Sequence, residues 1–348
     1  MSGGWANLAG ENLVRSVAVL GAGSWGTALA VHLAGLGHEV RIWARDSDLA
    51  ADMARRRANA VYLPDVPFPA ALTPGARLPE TLVGAQLVLV AVPSHGLRQV
   101  MRQASPHVDP AAVVLSATKG LEHGSLLRMS EIIQQECPHV PEVAVLSGPS
   151  FARELAQQMP TVVVVASTSA GTVRHVQEEF RSGALRLYAS SDVVGVELGG
   201  ALKNVIAIAA GAVEGLGLGH NAQAALITRG LAEMSRLAVA AGGSRETLAG
   251  LAGMGDLVLT CTGQLSRNRQ VGIELARGRA LDEIVASTKM VAEGVRTTQA
   301  ALALGAKHGV ELPIAAQVDA VLAGRVSAAA AVTELMGRRQ RSESDARA

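Results

Sequence analysis

The sequence predicts an α/β fold, a doubly wound parallel sheet, joined to a second, all-α domain. Three observations carry this. The Val-rich run Val17–Leu20 stops at a glycine-rich turn and resumes as an Ala- and Leu-rich helical stretch. From Val14 to about Leu187, short apolar runs alternate with helical stretches, the pattern of strands with helices on both faces. After Ser190-Ser191-Asp192 the strand signal vanishes, and Ala-, Gly- and Leu-rich helical sequence continues to about Leu335. The expected organisation is a sheet domain over 14–190 and a helical domain over 191–337. A loose extension over 1–13 and a polar, Arg-rich, disordered tail over 338–348 flank them. Strands are expected at Ser16–Leu20, Glu39–Trp43, Leu87–Val92, Val113–Ala117, Val143–Leu146 and Thr161–Ala166. The Pro-rich stretch Asn59–Leu82 reads as a long excursion before the third strand.

The first turn is Gly21-Ala22-Gly23-Ser24-Trp25-Gly26, a G-x-G-x-x-G between a strand and a helix, with a second strand following. That context is the dinucleotide-binding signature of a Rossmann-type sheet. Gly21 permits the tight turn, Gly23 lets the backbone approach a pyrophosphate, and Gly26 lets helix and strand pack closely. The N–H groups at the helix start face the anion, where the helix dipole favours negative charge. An Asp or Glu at the end of the second strand would grip the ribose of NAD. Here Arg45 stands there instead, with Asp46 one place later. Arg45 is either a bidentate partner for a 2′-phosphate or a solvated surface charge; the first reading favours NADP, alongside NAD.

Composition excludes several function classes. Lys plus Arg number 31 against 30 Asp plus Glu, so no global field favours nucleic acid or stable membrane anchoring. The longest apolar stretches, Val162–Ala166 and Val205–Ala212, fall short of the ~20 residues of a membrane helix. No secretory signal opens the chain. Cys137 and Cys261, the two cysteines, are too few for a disulfide scaffold or zinc site and point to a reducing cytoplasm. The nine His show no metal-ligand spacing, and no metal is expected.

Only four of the 31 basic residues are lysine: Lys119, Lys203, Lys289 and Lys307. Arg serves wherever a fixed charge suffices, but only Lys can shuttle a proton once its pKa is depressed. In open α/β sheets ligands bind beyond the carboxyl ends of the strands. Those ends carry Pro93-Ser94-His95, Thr118-Lys119-Gly120 and Ser147-Gly148-Pro149-Ser150-Phe151-Ala152. Lys119 is thus a crevice candidate, against the reading of a surface loop lysine. His95 and His220 read as structural or surface residues.

In the second domain, Gly200, Lys203 or Asn204, Ala207 and Gly211 share one helical face of small residues, open to another helix or a ligand. Lys203 on that face either snorkels to solvent or points into a cleft. Gly253-Met254-Gly255-Asp256 sets an acid in a glycine-rich apolar turn. Ser266-Arg267-Asn268 offers a hydroxyl, a guanidinium fork and an amide, donors suited to a phosphate, although spacing alone also allows an ordinary polar loop. Val291-Ala292-Glu293-Gly294 precedes a helix expected at Val295–Gly305, and Glu293 near that start is an acid the dipole favours, facing solvent.

In this order and spacing, the glycine turn with Trp25, Thr118-Lys119-Gly120, Ser147–Ala152, Lys203-Asn204, Gly253-x-Gly255-Asp256 and Ser266-Arg267-Asn268 resemble bacterial NAD(P)-dependent glycerol-3-phosphate dehydrogenase over about residues 14–337. The resemblance implies reversible hydride transfer between carbon 2 of sn-glycerol 3-phosphate and the nicotinamide of NAD or NADP. It implies a cytoplasmic enzyme that makes dihydroxyacetone phosphate reversibly and supplies glycerol phosphate for phospholipids, and it leaves room for a homodimer. It assigns Lys203 as proton acceptor, with Lys119 and Asp256 beside it as catalytic residues. Substrate positions are Lys119, Gly148, Ser150, Lys203, Asn204, Asp256, Ser266, Arg267 and Asn268. Cofactor positions are the glycine turn with Ser24 and Trp25, then Arg45, Pro93, Lys119, Ala152, Arg267, Val291 and Glu293. Members vary at Arg45, so cofactor preference stays open, and Ser150 stands where Thr is also common.

The chemistry agrees with this assignment. Oxidising a secondary alcohol needs a base for the hydroxyl proton and a cation for the developing alkoxide. A free lysine, with a pKa near ~10.4, must drop by about 3 units, about 4 kcal/mol, to serve near neutral pH. Burial and a second cation push that way. The alternatives are a ketopantoate or β-hydroxyacid reductase of the same two-domain plan, and a non-catalytic NADP-binding sensor that would not need Lys203.

Overall fold

The computed structural model describes residues 15–286, 292–340 and 342. The expected loose extension, most of the tail and the cofactor position Val291 lie outside the described residues. Two compact units form. The first comprises the described residues up to Thr118 together with Met129–Val193; the second comprises Lys119–Arg128 and the described residues from Val194 onward.

Ten strands are present in the first unit: β1 (Ser16–Leu20), β2 (Glu39–Trp43), β3 (Ala58–Asn59), β4 (Leu63–Pro67), β5 (Leu72–Gly75), β6 (Leu87–Val90), β7 (Val113–Ser116), β8 (Val143–Ser147), β9 (Thr161–Ala166) and β10 (Leu185–Ser190). Eight of them make one sheet in the order β10-β9-β8-β7-β6-β1-β2-β5, while β3 and β4 form a separate antiparallel pair. The central strands β6, β7 and β8 are apolar and almost wholly buried, as expected when helices cover both faces. Sheet connectivity turns around at β1, which pairs in parallel with β2 on one side and β6 on the other. Ligands of open α/β sheets gather at the strand ends beside such a reversal.

The structure adds detail to the sequence reading in three places. The sheet is parallel except for β8 and β9, which run antiparallel. Their connection holds only the five-residue helix Ala152–Ala156, less than a full crossover helix. The excursion Asn59–Leu82 contains β4 and β5 and ends in a short helix. Finally, β5 and β10 were not anticipated. Both are edge strands, β5 carrying a Pro that only an edge tolerates and β10 exposing alternate residues, so neither reads as a buried apolar run.

The second unit is helical. Its axis is the helix Val193–Gly215, buried along nearly its whole length. Among the described residues this helix alone is long and apolar enough to cross a membrane by composition, but 83% of its apolar window is buried within the protein. Leu198, Leu202, Val205 and Ile206 pack with Met234 and Leu237 of the helix Gly219–Ala240, Leu304 of Glu293–His308, and Ile314 and Val318 of Pro313–Leu322. The helix Pro313–Leu322 has no side-chain cap of its own. Buried Glu233 substitutes, accepting the N–H groups of Ile314 and Ala315 at 3.0 Å each, and burial pushes its carboxyl above the usual range.

Packing around the first turn distinguishes its glycines. A Cβ at Gly26 would stand 2.1 Å from the Gly21 carbonyl oxygen, whereas one at Gly23 would meet nothing within 4 Å. Gly26→Ala is therefore expected to lose about 1–3 kcal/mol of stability in urea unfolding. Gly23→Ala should unfold like the parent, because its methyl group would meet no protein atom.

Candidate active site

In the first unit the glycine turn joins β1 to the helix Ser24–Gly35. Gly21 has φ +114°, a left-handed conformation that favours glycine, and a Cβ there would press on the Ala91 carbonyl at 2.6 Å. Gly23 is the N-cap, has no side chain to offer, and no acidic residue sits in the first turn. Buried Asn59 holds the turn from the β3–β4 side: its Nδ2 donates to the Ala22 carbonyl at 2.8 Å and to Thr27 Oγ1 at 2.9 Å. Sequence spacing gave no hint of Asn59. An open approach at Gly23 over an uncapped helix start fits a dinucleotide pyrophosphate. Trp25 packs partly buried against the sheet core.

Beyond β2, Asp46 is committed elsewhere. Its Oδ1 accepts the N–H groups of Asp48 and Leu49 and caps the helix Ser47–Arg56. Arg45 remains exposed at the strand end, with no acidic residue to take a ribose hydroxyl in the usual position. Pro93 follows β6, the strand beside β1. Gly148 follows β8 at φ +136°, and the Ser150 hydroxyl donates to its carbonyl at 2.9 Å. Ala152 opens the short helix that packs on the helix Ser24–Gly35. The glycine turn and the loops after β6 and β8 follow strands running the same way, so they lie at one edge of the sheet.

In the second unit three candidates meet. Asp256 is completely buried at the first turn of the helix Asp256–Thr262. Its Oδ2 accepts from Lys119 Nζ at 2.6 Å, and its Oδ1 accepts from Lys203 Nζ. Lys203 also donates to Thr260 Oγ1 at 2.7 Å, and that hydroxyl donates to the Asp256 carbonyl at 2.6 Å. Sequence reading missed Thr260; its signal was the i,i+4 spacing from Asp256, which places both on one helical face. A single turn of π-helix, Leu251–Gly255, precedes Asp256 and aims it. Gly199, one turn before Lys203, lets that turn approach, since a Cβ there would stand 2.5 Å from the Ala252 carbonyl oxygen.

Burial of the Lys203 amine lowers its pKa from 10.5 to about 8. The Asp256 carboxylate resists this shift, and the Lys119 ammonium reinforces it. One carboxylate shared by two lysines leaves a net positive charge, so the more deeply buried amine releases its proton first. The neighbouring Cys261 thiol is pushed up to about 12 by burial and stays protonated.

The small-residue face of the Lys203 helix receives another helix. A Cβ at Gly211 would stand 1.9 Å from the Arg269 carbonyl oxygen, so the helix Arg267–Ala276 can cross there at backbone distance. This brings Ser266-Arg267-Asn268 beside Lys203-Asn204. Asn268 Nδ2 donates to Asn204 Oδ1 at 3.0 Å, and Asn268 Oδ1 accepts the Gly294 N–H at 2.9 Å. Ser266 caps the helix by accepting the Arg269 N–H at 3.3 Å. Arg267 is exposed at its first position, and the Glu293 carboxylate lies near enough to act on its charge.

Known proteins share this arrangement of sequence. The family profile for the NAD-dependent glycerol-3-phosphate dehydrogenase N-terminus matches residues 16–173, and that for the C-terminus matches residues 192–333. The glycerol-3-phosphate dehydrogenase, NAD(P)+, of Koribacter versatilis is 52% identical over 326 residues, covering 92% of this chain and 97% of the relative. That of Thioalkalivibrio sulfidiphilus is 51% identical over 327 residues, covering 94% and 98%. The crystal structure of glycerol-3-phosphate dehydrogenase from Coxiella burnetii superposes with a TM-score of 0.90 at 42% identity, covering 93% of this chain and 99% of that one. A ketopantoate reductase from Ralstonia eutropha shares the fold alone, with a TM-score of 0.59 at 17% identity, over 89% and 99% of the two chains. By its matched profiles and its relatives over nearly its whole length, this chain belongs to the NAD(P)-dependent glycerol-3-phosphate dehydrogenase family.

Proposed function

We propose that, in the interconversion of sn-glycerol 3-phosphate and dihydroxyacetone phosphate catalysed by this family, Lys203 is the general base. The observation that carries the reading is a buried amine with its pKa near 8, held on a carboxylate that a second lysine shares. The bound nicotinamide supplies the hydride acceptor or donor. Lys203 in its neutral form takes the proton of the carbon-2 hydroxyl, and in its ammonium form returns it when the ketone is reduced. Lys119 supplies fixed positive charge for the developing alkoxide, and Asp256 with Thr260 orients Lys203. Gly148 and Ser150 join the substrate positions.

Arg267 anchors the substrate phosphate together with the N–H groups of its own helix start. Ser266 and Asn268 fix that helix start, and Asn204 fixes Asn268. The turn Gly21–Gly26 with Ser24 and Trp25 holds the cofactor pyrophosphate side. Arg45 meets the 2′-phosphate of NADP; Pro93, Ala152, Val291 and Glu293 complete the cofactor set. We place the enzyme in the cytoplasm, supplying glycerol phosphate for phospholipids; the free, buried Cys137 and Cys261 support a reducing compartment. We also assign a homodimer, with the exposed apolar side chains Leu218, Met254, Val258 and Leu265 of the helical unit as candidates for its contact.

Three measurements test this reading. Lys203→Ala should cut turnover by about 10²–10⁴-fold while NADPH binding persists; retained turnover refutes the base. Arg267→Ala should raise KM for dihydroxyacetone phosphate about tenfold to a hundredfold and leave the slow reduction of unphosphorylated dihydroxyacetone unaltered. Glycerol 3-phosphate oxidation should rise as pH passes upward through about 8, where Lys203 becomes neutral, and ketone reduction should fall over the same range. Profiles that move together in both directions would exclude Lys203 as the titrating group.

A further inference from the structure

The helical unit includes a segment contributed from between β7 and the helix Met129–Glu136. Lys119–Arg128 groups with the helices rather than with the sheet. It folds back on itself as a hairpin. An antiparallel bridge joins Leu121 to Arg128, the Glu122 N–H donates to the Leu127 carbonyl at 3.0 Å, and the Leu126 N–H donates to the Glu122 carbonyl at 3.0 Å. Leu121 is buried in the helical core, and Leu126 packs against it.

Two ionic contacts pin the ends of this hairpin. At one end Lys119 Nζ donates to Asp256 Oδ2. At the other, Arg128 Nη1 donates to Glu197 Oε2 at 2.7 Å, with only 19% and 5% of the two side chains exposed. Glu197 lies on the helix that carries Lys203, less than two turns ahead of it. The hairpin therefore spans the two elements that bring Lys203 and Asp256 together, yet nothing in the reaction as described uses Arg128 or Glu197. A partly buried ion pair contributes little net stability but fixes geometry, and loss of one partner leaves the other uncompensated.

We propose that the Arg128–Glu197 pair is a positioning clamp. It fastens the Lys119–Arg128 hairpin to the Lys203 helix and so keeps the Lys119 ammonium on the carboxylate that Lys203 shares. The groups that face Lys203 are Asp256 and Thr260 from one helix, Lys119 from the hairpin, and the Cys261 thiol, which stays protonated. With the clamp released, Lys119 withdraws, Lys203 loses a like-charged neighbour, and it holds its proton to higher pH.

This inference rests on Lys203 as the base, and the decisive variant is Glu197→Gln. If Glu197 acted only as a distant charge, its neutralisation would leave Arg128 unopposed and move the acid limb of glycerol 3-phosphate oxidation downward. The clamp requires the opposite: a shift of about half a unit to one unit upward. Lys119→Met should shift the limb the same way, and Glu197→Gln added to Lys119→Met should shift it no further. If Glu197→Gln does not fold, Arg128→Met in the Lys119→Met background gives the same comparison and should likewise add nothing. A limb that stays put or moves down, or shifts that add in the double variant, overturns the clamp, even where turnover or thermal stability falls. Failure of the base reading looks different, since the limb near pH 8 would then be missing from the parent enzyme.

Discussion

The chemistry of the helical unit depends on one carboxylate facing two ammonium groups. Asp256 is fully buried, and an isolated charge there would be prohibitively costly; Lys119 and Lys203 make it tolerable. The same sharing sets the proton affinity of Lys203. Burial drives its pKa down, Asp256 limits the fall, and Lys119 offsets part of that support. With a pKa near 8 the amine is able to accept and to donate a proton close to neutral pH, as the proposed base role requires.

Close backbone approach makes this cluster feasible. The small residues around Lys203 look like an undemanding helix face, but two glycines there admit neighbours. Gly199 admits the π-turn that presents Asp256, and Gly211 admits the helix whose start carries Ser266-Arg267-Asn268. A side chain at either place would collide with a backbone carbonyl, so the π-turn and the crossing helix would have to move off the Lys203 helix. The buried Glu233 cap and the Asn204–Asn268–Gly294 chain tie helices distant in sequence to one another by directional contacts.

The glycine turn of the sheet unit is organised differently. Its geometry comes from contacts beneath it: the Ala91 carbonyl under Gly21, the Gly21 carbonyl against Gly26, and the Asn59 amide on Ala22. Only Gly23 faces open space. Asp46, which a simple motif search would take as a ribose ligand, is occupied as a helix cap, and Arg45 is left at the strand end.

The sequence by itself determined the class of fold, the glycine turn, the six interior strands and the identity of the chemically distinctive residues. These are local properties: apolar runs, turn glycines and a scarcity of lysine are visible without knowing what packs on what. Tertiary structure decided the edge strands β5 and β10, whose half-exposed residues carry weak patterns, and the antiparallel turn of β9, which depends on the short connection from β8. It also decided that Lys119 belongs with Lys203 and not with the strand it follows. Lys119 and Asp256 are 137 residues apart, and no local pattern encodes a contact over that distance. Thr260, Asn59 and the Arg128–Glu197 pair escaped sequence reading for the same reason: each acts through what it touches, and folding alone chooses the partner.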